Sequence, residues 1–507
     1  MLSSVLFFSV IMGIIFVALG LSLYYGSRSN KEDAMPNTAF NLEPTPPSAE
    51  KRPEEVTQHG DTRVDNYAWL KDTNWQEVLK EPETLSEDIR AYLDAENAYT
   101  DAVMAPTKAL QEKLVAEMRG RMKEQDNSAP YPHGPYMYYV RYEEGKEYPI
   151  YCRKEKGTDA EEVLLDVNQA AEGHDFFKVV ATSISPDHRF FAYAVDTKGS
   201  EFYTLRIVDT TTGEELPERV ENTAGSFEWA IDSQTLVYVR RDEETQRSKW
   251  VYRHTIGTRE DDVLLYTEKD DAFFVGVGRT SDDRYLMINT HDHTTSETWL
   301  MDATTPQENN LQVVEPRQKD VEYHVDSHPQ GLYILTNRDG AVDFKLMMTA
   351  HDKLAADNWV EVLPYEAGSL LEDFSLFKDW LVVRHMRNAL PEYFVINLNT
   401  QETYLISQPE EAYTLRPGTN AEFDTNTFRF VYASPSTPAR VYDYDMTTQQ
   451  RVLVKEQEIP SGHNPDDYTV KRVFARGHDG TPIPLTVLYH NDTPLDGSAP
   501  LLLYGYG

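Results

Sequence analysis

The sequence predicts a mainly β protein: a seven-bladed β-propeller with a helical segment before it and the first strands of an incomplete α/β domain after it. Three observations carry this. A six-residue strand pattern recurs seven times at intervals of 45 to 54 residues. Ahead of it, apolar residues fall at helical three- and four-residue spacing, and behind it an Asp-Gly turn and an apolar run break the repeat. A period near 50 residues with about four short strands per unit is the signature of a propeller. Tandem β-sandwiches would need repeats of about 100 residues, and a β-helix much shorter ones.

The order of elements begins with residues 1–26. No charged side chain occurs from Leu2 to Ser27, a length that spans a bilayer core as a helix. Tyr24 and Tyr25 sit where an interfacial aromatic pair would lie. The segment reads as a hydrophobic anchor or a signal segment. An uncleaved anchor fits better, because no basic residue precedes the apolar run and the small-x-small site at Ala18-Leu19-Gly20 is weak. The expected localisation is membrane-anchored through residues 2–25. It becomes cytoplasmic if translation starts later, and periplasmic if the segment is a signal peptide. Arg28 and Lys31 are accompanied by Glu32 and Asp33, which leaves the side of the membrane open. Residues 27–51 are Pro-rich and polar and read as a linker.

Residues 52–126 form the expected helical segment. Ile89 and Leu93, then Leu110, Leu114 and Met118, repeat at helical spacing, and Pro82 and Pro106 divide the run. The propeller is expected over 127–455. Its recurring strand is "PYMYYV", "RFFAYA", "QTLVYV", "RYLMIN", "GLYILT", "DWLVVR" and "FRFVYA", with Met137, Phe191, Leu236, Leu286, Tyr333, Leu381 and Phe430 in third place. Each copy is followed by a second strand-like stretch and a turn, and several are preceded by an Asp-containing turn such as "SPDHR" or "TSDDR".

Length and composition agree with this plan. A chain of 507 residues is too long for one compact core. An 11% aromatic share with 31 Tyr favours β-structure. The net charge of −36 excludes nucleic acid as a partner, because binding it needs basic patches. Such a field attracts cationic ligands, although solubility is its ordinary consequence. Cys152 is the one cysteine, so no intrachain disulfide forms. In the alternating stretch "YPIYCRK" it reads as a structural thiol.

Two loop motifs carry residue types that could serve chemistry. His291-Asp292-His293 lacks further ligands at metal spacing and reads as a polar loop. Asp270 and Asp271 are adjacent, so their carboxylates do not face each other as a catalytic pair. No metal and no cofactor is expected.

Residues 456–507 change texture again. Two strands meet at "GHDGTP", a hairpin signal. Leu501-Leu502-Leu503 then reads as a buried strand running into Tyr504-Gly505-Tyr506-Gly507. This is how an α/β domain would open. No helix follows in these residues, and strands of that kind are normally covered by crossover helices.

"RPEEVTQHGDTRVDNYAWLKD" (52–72), "SFEWAIDSQTLVYV", "VYRHTIGT", "YTEKDDAFFVGV" and "PLLLYGYG" resemble the N-terminal two thirds of the oligopeptidase B group within the prolyl oligopeptidase family of serine peptidases. The likeness runs from about Arg52 to Gly507; the N-terminal apolar span departs from the usual pattern. It implies an α/β-hydrolase domain beginning at 456–507 and a helical segment that packs on it. It also implies a propeller acting as a size filter, and hydrolysis of short peptides after Lys or Arg. Tyr506 is implied as the hydroxyl donor to the oxyanion, a role that a fixed phenol suits chemically. The family's serine elbow, Asp and His are missing, and no Gly-x-Ser-x-Gly occurs in the chain. The chain is therefore expected to be truncated before the nucleophile and inactive by itself. The alternative is a membrane-tethered, non-catalytic propeller that binds peptides or proteins. A solute-binding or sugar-active propeller is a weaker third reading, because no carboxylates stand at useful spacing. Oligomeric state is left open.

Overall fold

The structure, a computed structural model, describes residues 44–258 and 262–505. The chain divides into two compact units, residues 1–114 and 115–507.

The first unit opens on a hairpin. Strand β1 (Glu54–Gln58) pairs with β2 (Asp61–Asp65), with Gln58 opposite Asp61. The two-residue loop, His59 and Gly60, has positive φ at both positions (53° and 87°). That is the turn whose twist matches a hairpin. Helices α1 (Trp75–Lys80), α2 (Glu87–Met104) and α3 (Lys108–Gly120) follow, the last running on into the second unit. Helical structure was expected from Pro53 onward. The β-branched alternation of Val56, Thr57, Thr62 and Val64 overrides it at the start. The beginning of α2 is fixed by Asp72, whose Oδ2 accepts the Ser86 amide at 2.7 Å and hydroxyl at 2.6 Å. These bonds hold the Asp72 carboxyl below its usual range.

The second unit is built from antiparallel sheets in chain order. The first holds β3 (Tyr131–His133), β4 (Tyr136–Arg141), β5 (Ile150–Glu155) and β6 (Glu161–Asp166). A larger sheet holds β7 (Lys178–Ile184), β8 (Phe190–Asp196), β9 (Tyr203–Asp209), β10 (Glu214–Glu215), β11 (Val220–Trp229), β12 (Thr235–Arg241), β13 (Ser248–Thr255) and β14 (Val263–Thr267). The third comprises β15 (Phe274–Arg279), β16 (Tyr285–His291), β17 (Ser296–Asp302) and β18 (Gln312–Val313). The fourth comprises β19 (Tyr323–His328), β20 (Gly331–Thr336), β21 (Lys345–Thr349) and β22 (Val360–Leu363). The fifth is β23 (Ser369–Leu376), β24 (Trp380–Arg387), β25 (Leu390–Asn397) and β26 (Thr403–Leu405). The sixth is β27 (Thr414–Pro417), β28 (Thr427–Ala433), β29 (Arg440–Asp445) and β30 (Gln450–Glu456). First strands of neighbouring sheets pack together, as β19 does on β23, which places them at the propeller axis.

The blade count corrects the sequence expectation. Five four-stranded sheets stand apart as blades, not seven, because β7–β14 form one eight-stranded sheet. The cause is local. β10 is two residues long and leaves the edge of β9 open at Tyr203 and Leu205. The first half of β11 fills that edge, with Val220 opposite Leu205 and Thr223 opposite Tyr203. β11 then shifts register between Thr223 and Phe227 to reach β12. The crossing passes through Asn222 and Gly225, at φ 59° and 81°. A Cβ at Gly225 would lie 2.7 Å from Val180 Cγ1, so the bend needs glycine.

Apolar cores fill the spaces between successive sheets. Phe190, Trp229 and Leu236 pack in one, and Tyr393, Phe428 and Phe430 in another. The seam that joins the last sheet to the first is polar instead. Arg429 pairs with Asp443 (Nε–Oδ1 2.6 Å, Nη2–Oδ2 2.9 Å) and donates to the Pro130 carbonyl at 2.7 Å. Lys455 pairs with Asp126 at 2.7 Å, and Lys156 with Glu422 at 3.1 Å.

Beyond the propeller, β31 (Tyr468–Arg476) and β32 (Pro482–His490) form a two-stranded hairpin closed by residues 477–481. No further layer of an α/β domain follows among the described residues. The anchor expected at residues 2–25 lies outside the described residues. Among the described residues no helix is long and apolar enough to cross a membrane. Against the expected localisation, membrane anchoring thus finds no support among the described residues.

Candidate functional site at the hairpin-facing end of the propeller

In every sheet the loop that enters the first strand and the turn between the second and third strands lie at the same end. The β31–β32 hairpin attaches to this end. The Arg472 amide donates to Glu411 Oε2 at 3.1 Å, in the loop before β27. Its guanidinium donates to the carbonyls of Asn388 and Ala389, in the turn between β24 and β25. That two-residue turn has positive φ at both positions, 49° and 56°. The left-handed region costs an alanine about 1–2 kcal/mol, and here it presents two carbonyl oxygens to one guanidinium.

Next to the hairpin, Glu410 fixes the loop after β28. Its carboxylate accepts the Tyr432 hydroxyl at 2.8 Å and the Thr437 hydroxyl at 2.6 Å. Burial, with Glu410 alongside, pushes the Tyr432 phenol up, so it stays a donor. Ser434 Oγ accepts the amides of Ser436 and Thr437 at 3.2 and 2.9 Å. His463 Nε2 stands 2.6 Å from the Ser436 carbonyl and so carries the proton. Its ring packs on Tyr468, 5.5 Å between centroids. Ser434, Ser436, Thr437, His463 and Tyr468, with Arg121, wall a cavity of about 730 Å³ at the root of the hairpin. Its open hydroxyl, guanidinium and imidazole groups can hydrogen-bond a polar chain.

The residues singled out by sequence fall as follows. Tyr506 lies outside the described residues. Leu501, Leu502 and Leu503 form no strand and are 84%, 83% and 79% exposed. Asp270 Oδ1 accepts the Ala272 amide at 3.0 Å and thereby shapes its own turn. Asp292 does the same with the amides of Thr294 and Thr295, both at 2.7 Å. His291 and His293 flank the Phe274 ring. Cys152 is 1% exposed, and burial pushes its thiol up to about 12. It is a packed, protonated thiol.

Sequence reasoning missed two features. One is Arg317, whose Nη2 reaches Glu268 at 2.6 Å and Glu297 at 3.2 Å while the guanidinium lies 3.9 Å over Phe273. The other is a set of carboxyls on the axial strands. Burial pushes Glu228 and Asp373 above the usual range and Asp326 up to about 6. Asp326 accepts the amide of Ser281 (2.8 Å) and its hydroxyl, while Ser327 returns a bond to Asp282 (2.8 Å) across the same seam. A signal was present: Glu228, Asp326 and Asp373 each stand seven or eight residues before the third residue of a repeat. Stacking the repeats would have exposed it.

Comparison with known proteins agrees with this architecture. Residues 46–457 match the family described as prolyl oligopeptidase, N-terminal beta-propeller domain. The chain is 37% identical over 489 residues to dipeptidyl aminopeptidase BI of Pseudoxanthomonas mexicana, covering 93% of this chain and 66% of that protein. It is 31% identical over 470 residues to protease 2 of Moraxella lacunata, covering 91% and 66%. Among solved structures, oligopeptidase B from Trypanosoma brucei, a closed form with covalently bound antipain, matches with a TM-score of 0.83 and 30% identity, over 90% of this chain and 67% of that one. Oligopeptidase B from Leishmania major gives 0.82 and 30%, over 89% and 66%. The chain thus spans 66% of the length of each of these two curated relatives. With the family match covering most of its length, the chain belongs to the prolyl oligopeptidase family of serine peptidases.

Proposed function

We propose that this chain forms the propeller part of an oligopeptidase B-like serine endopeptidase that hydrolyses short peptides after Lys or Arg. The observation that carries the reading is 30% identity to oligopeptidase B across 90% of the chain, at a TM-score of 0.83. In this reading residues 456–507 begin the catalytic domain, and the propeller over 127–455 admits short chains and excludes folded ones. The Tyr506 hydroxyl donates to the oxyanion of the tetrahedral intermediate, where a fixed donor is worth roughly 3–4 kcal/mol. Serine, aspartate and histidine of the triad are supplied from outside these 507 residues, and the chain by itself is inactive. The net charge of −36 draws cationic peptides toward the enzyme, an attraction that weakens as salt rises.

A second reading has its own support. The relative at 37% identity is named a dipeptidyl aminopeptidase, which is an exopeptidase activity. The two separate in one assay on the protein expressed from its full reading frame. Cleavage of an N-terminally blocked arginyl amide supports the endopeptidase. Cleavage only of amides with a free N-terminus two residues away supports the aminopeptidase. Cleavage of neither ends both.

A further inference from the structure

The β31–β32 hairpin is seated on the propeller by one residue. Val473, Phe474, Ile483 and Leu488 on its strands are between 41% and 55% exposed, so apolar packing does little to hold it there. Among the described residues, every hydrogen bond between the hairpin and the propeller is made by Arg472. Its amide donates to Glu411, in the loop that enters β27. Its guanidinium donates to the carbonyls of Asn388 and Ala389, in the turn between β24 and β25. Arg472 therefore joins the hairpin to two neighbouring blades at once.

Both receiving loops are set in advance. β24 ends six residues beyond Leu381, the third position of its repeat, whereas β20 ends three beyond Tyr333 and β28 three beyond Phe430. At about 3.4 Å per residue, the longer strand carries its turn further out at the hairpin-facing end. Glycine is the usual second residue of a turn with positive φ at both positions. Here it is Ala389, at φ 56°. An alanine in that region persists where its surroundings hold it, and the carbonyls of this turn are taken by one guanidinium. Arg387 fixes the base of the turn, Nε to Ser369 Oγ at 3.0 Å and Nη2 to Glu366 Oε2 at 2.6 Å. The loop of Glu411 is fixed by its neighbour Glu410, through Tyr432 and Thr437. A single residue between two preset receivers engages or releases in one step.

We propose that Arg472 is a specificity-determining residue that sets the size limit on admitted peptides, by seating the hairpin on the propeller. Without it the seated arrangement loses its charge-assisted bonds. Hairpin and propeller then separate more often, and longer chains pass between them. The proposal rests on the peptidase reading above, with its propeller that admits short chains, and assigns that selection to one side chain.

The test uses the protein expressed from its full reading frame and two substrates, with blocked or free N-termini according to which are cleaved. One is a short arginyl amide. The other is an unstructured peptide of about 40 residues with the same residues around its one arginine. Wild type favours the short substrate. Arg472→Met keeps the apolar stem and removes the donors, and it raises kcat/KM of the long peptide relative to the short amide about tenfold. This ratio does not depend on how much enzyme is folded, so a merely structural loss leaves it unmoved. Arg472→Lys, with one charged donor group, restores part of the limit. Arg476→Met makes the same change further along β31, at an exposed side chain with no hydrogen bond or ion pair among the described residues, and leaves the ratio as in wild type. A wild type that cleaves neither substrate ends the peptidase reading, and this proposal with it. A wild type that cleaves both equally well overturns the proposal while the peptidase reading stands. An unchanged ratio in Arg472→Met, or an equal rise in Arg476→Met, overturns the role of Arg472 alone.

Discussion

Arg429→Ala should cost the propeller about 4 kcal/mol, because it opens the polar seam between the last sheet and the first. The Arg429 side chain is 7% exposed, and its guanidinium makes two bonds, at 2.6 and 2.9 Å, to Asp443, whose side chain is 31% exposed. Breaking a buried pair by removing one partner costs roughly 3–5 kcal/mol, since the other charge stays behind unpaired. Asp443 keeps some contact with water, which places this pair near the lower bound. The third bond, Nη1 to the Pro130 carbonyl at 2.7 Å, adds a charge-assisted hydrogen bond of about 1.5 kcal/mol. It is also the bond that crosses from the last sheet to the first. The stem of Arg429 packs against Gly418, where a Cβ would lie 2.5 Å from its Cγ, so truncation also leaves a gap. Urea unfolding followed by tryptophan fluorescence gives the loss; urea is preferred because guanidinium chloride would screen the seam. The double variant Arg429→Ala/Asp443→Ala should recover about 1–2 kcal/mol by removing the orphaned carboxylate. A loss below about 1 kcal/mol for the single variant, or no recovery in the double one, would refute the claim that the buried pair with Asp443 holds the arginine whose bond to Pro130 closes the ring.

Three further outcomes follow from the same geometry. Asp326 should titrate near pH 6 by carboxyl NMR; its raised value favours the protonated form, so its contribution to stability is full below about pH 4 and is lost as pH rises through 6. A midpoint at the ordinary 3.8 would show that burial does not govern this carboxyl. Cys152 should resist iodoacetamide in the native protein at pH 8 and react once unfolded, because burial keeps it a thiol up to about 12; stoichiometric native labelling would contradict the packing. Gly331→Ala should destabilise by about 2–3 kcal/mol, since φ is 149° and a Cβ would sit 2.4 Å from the Thr349 carbonyl oxygen; an unchanged melting temperature would mean that β20 and β21 can separate there.

What the sequence made legible was the strand repeat itself. Each of the recurring hexapeptides lies on a strand that is second in its run: β4, β8, β12, β16, β20, β24 and β28. Residues such as Phe191, Leu236 and Leu381 are buried there on both faces, and a buried strand needs a continuous apolar run that survives in a single sequence. The N-terminal hairpin was hidden because β1 and β2 are short and mostly exposed, so they carry little apolar pattern. Only the His59-Gly60 turn marked them. The polar seam was hidden for the same reason in stronger form. Arg429 and Pro130 are brought together by ring closure across 299 residues, and no local spacing encodes that.

The blade count failed on a different kind of information. A repeat reports how many strands a chain can make, and each strand's own residues decide that. Which edges they share depends on how much edge a neighbour leaves open. Between β9 and β11 the deciding facts are that β10 stops after Glu214 and Glu215, and that Asn222 and Gly225 let the next strand bend across. Asn and Gly inside an otherwise strand-like stretch are a legible bulge signal. In "VENTAGSFEW" they sit three residues apart, ahead of the repeat's own first strand position. Read as a bulge instead of as loop, that stretch predicts a strand long enough to serve two sheets at once, and with it the fusion that the structure contains.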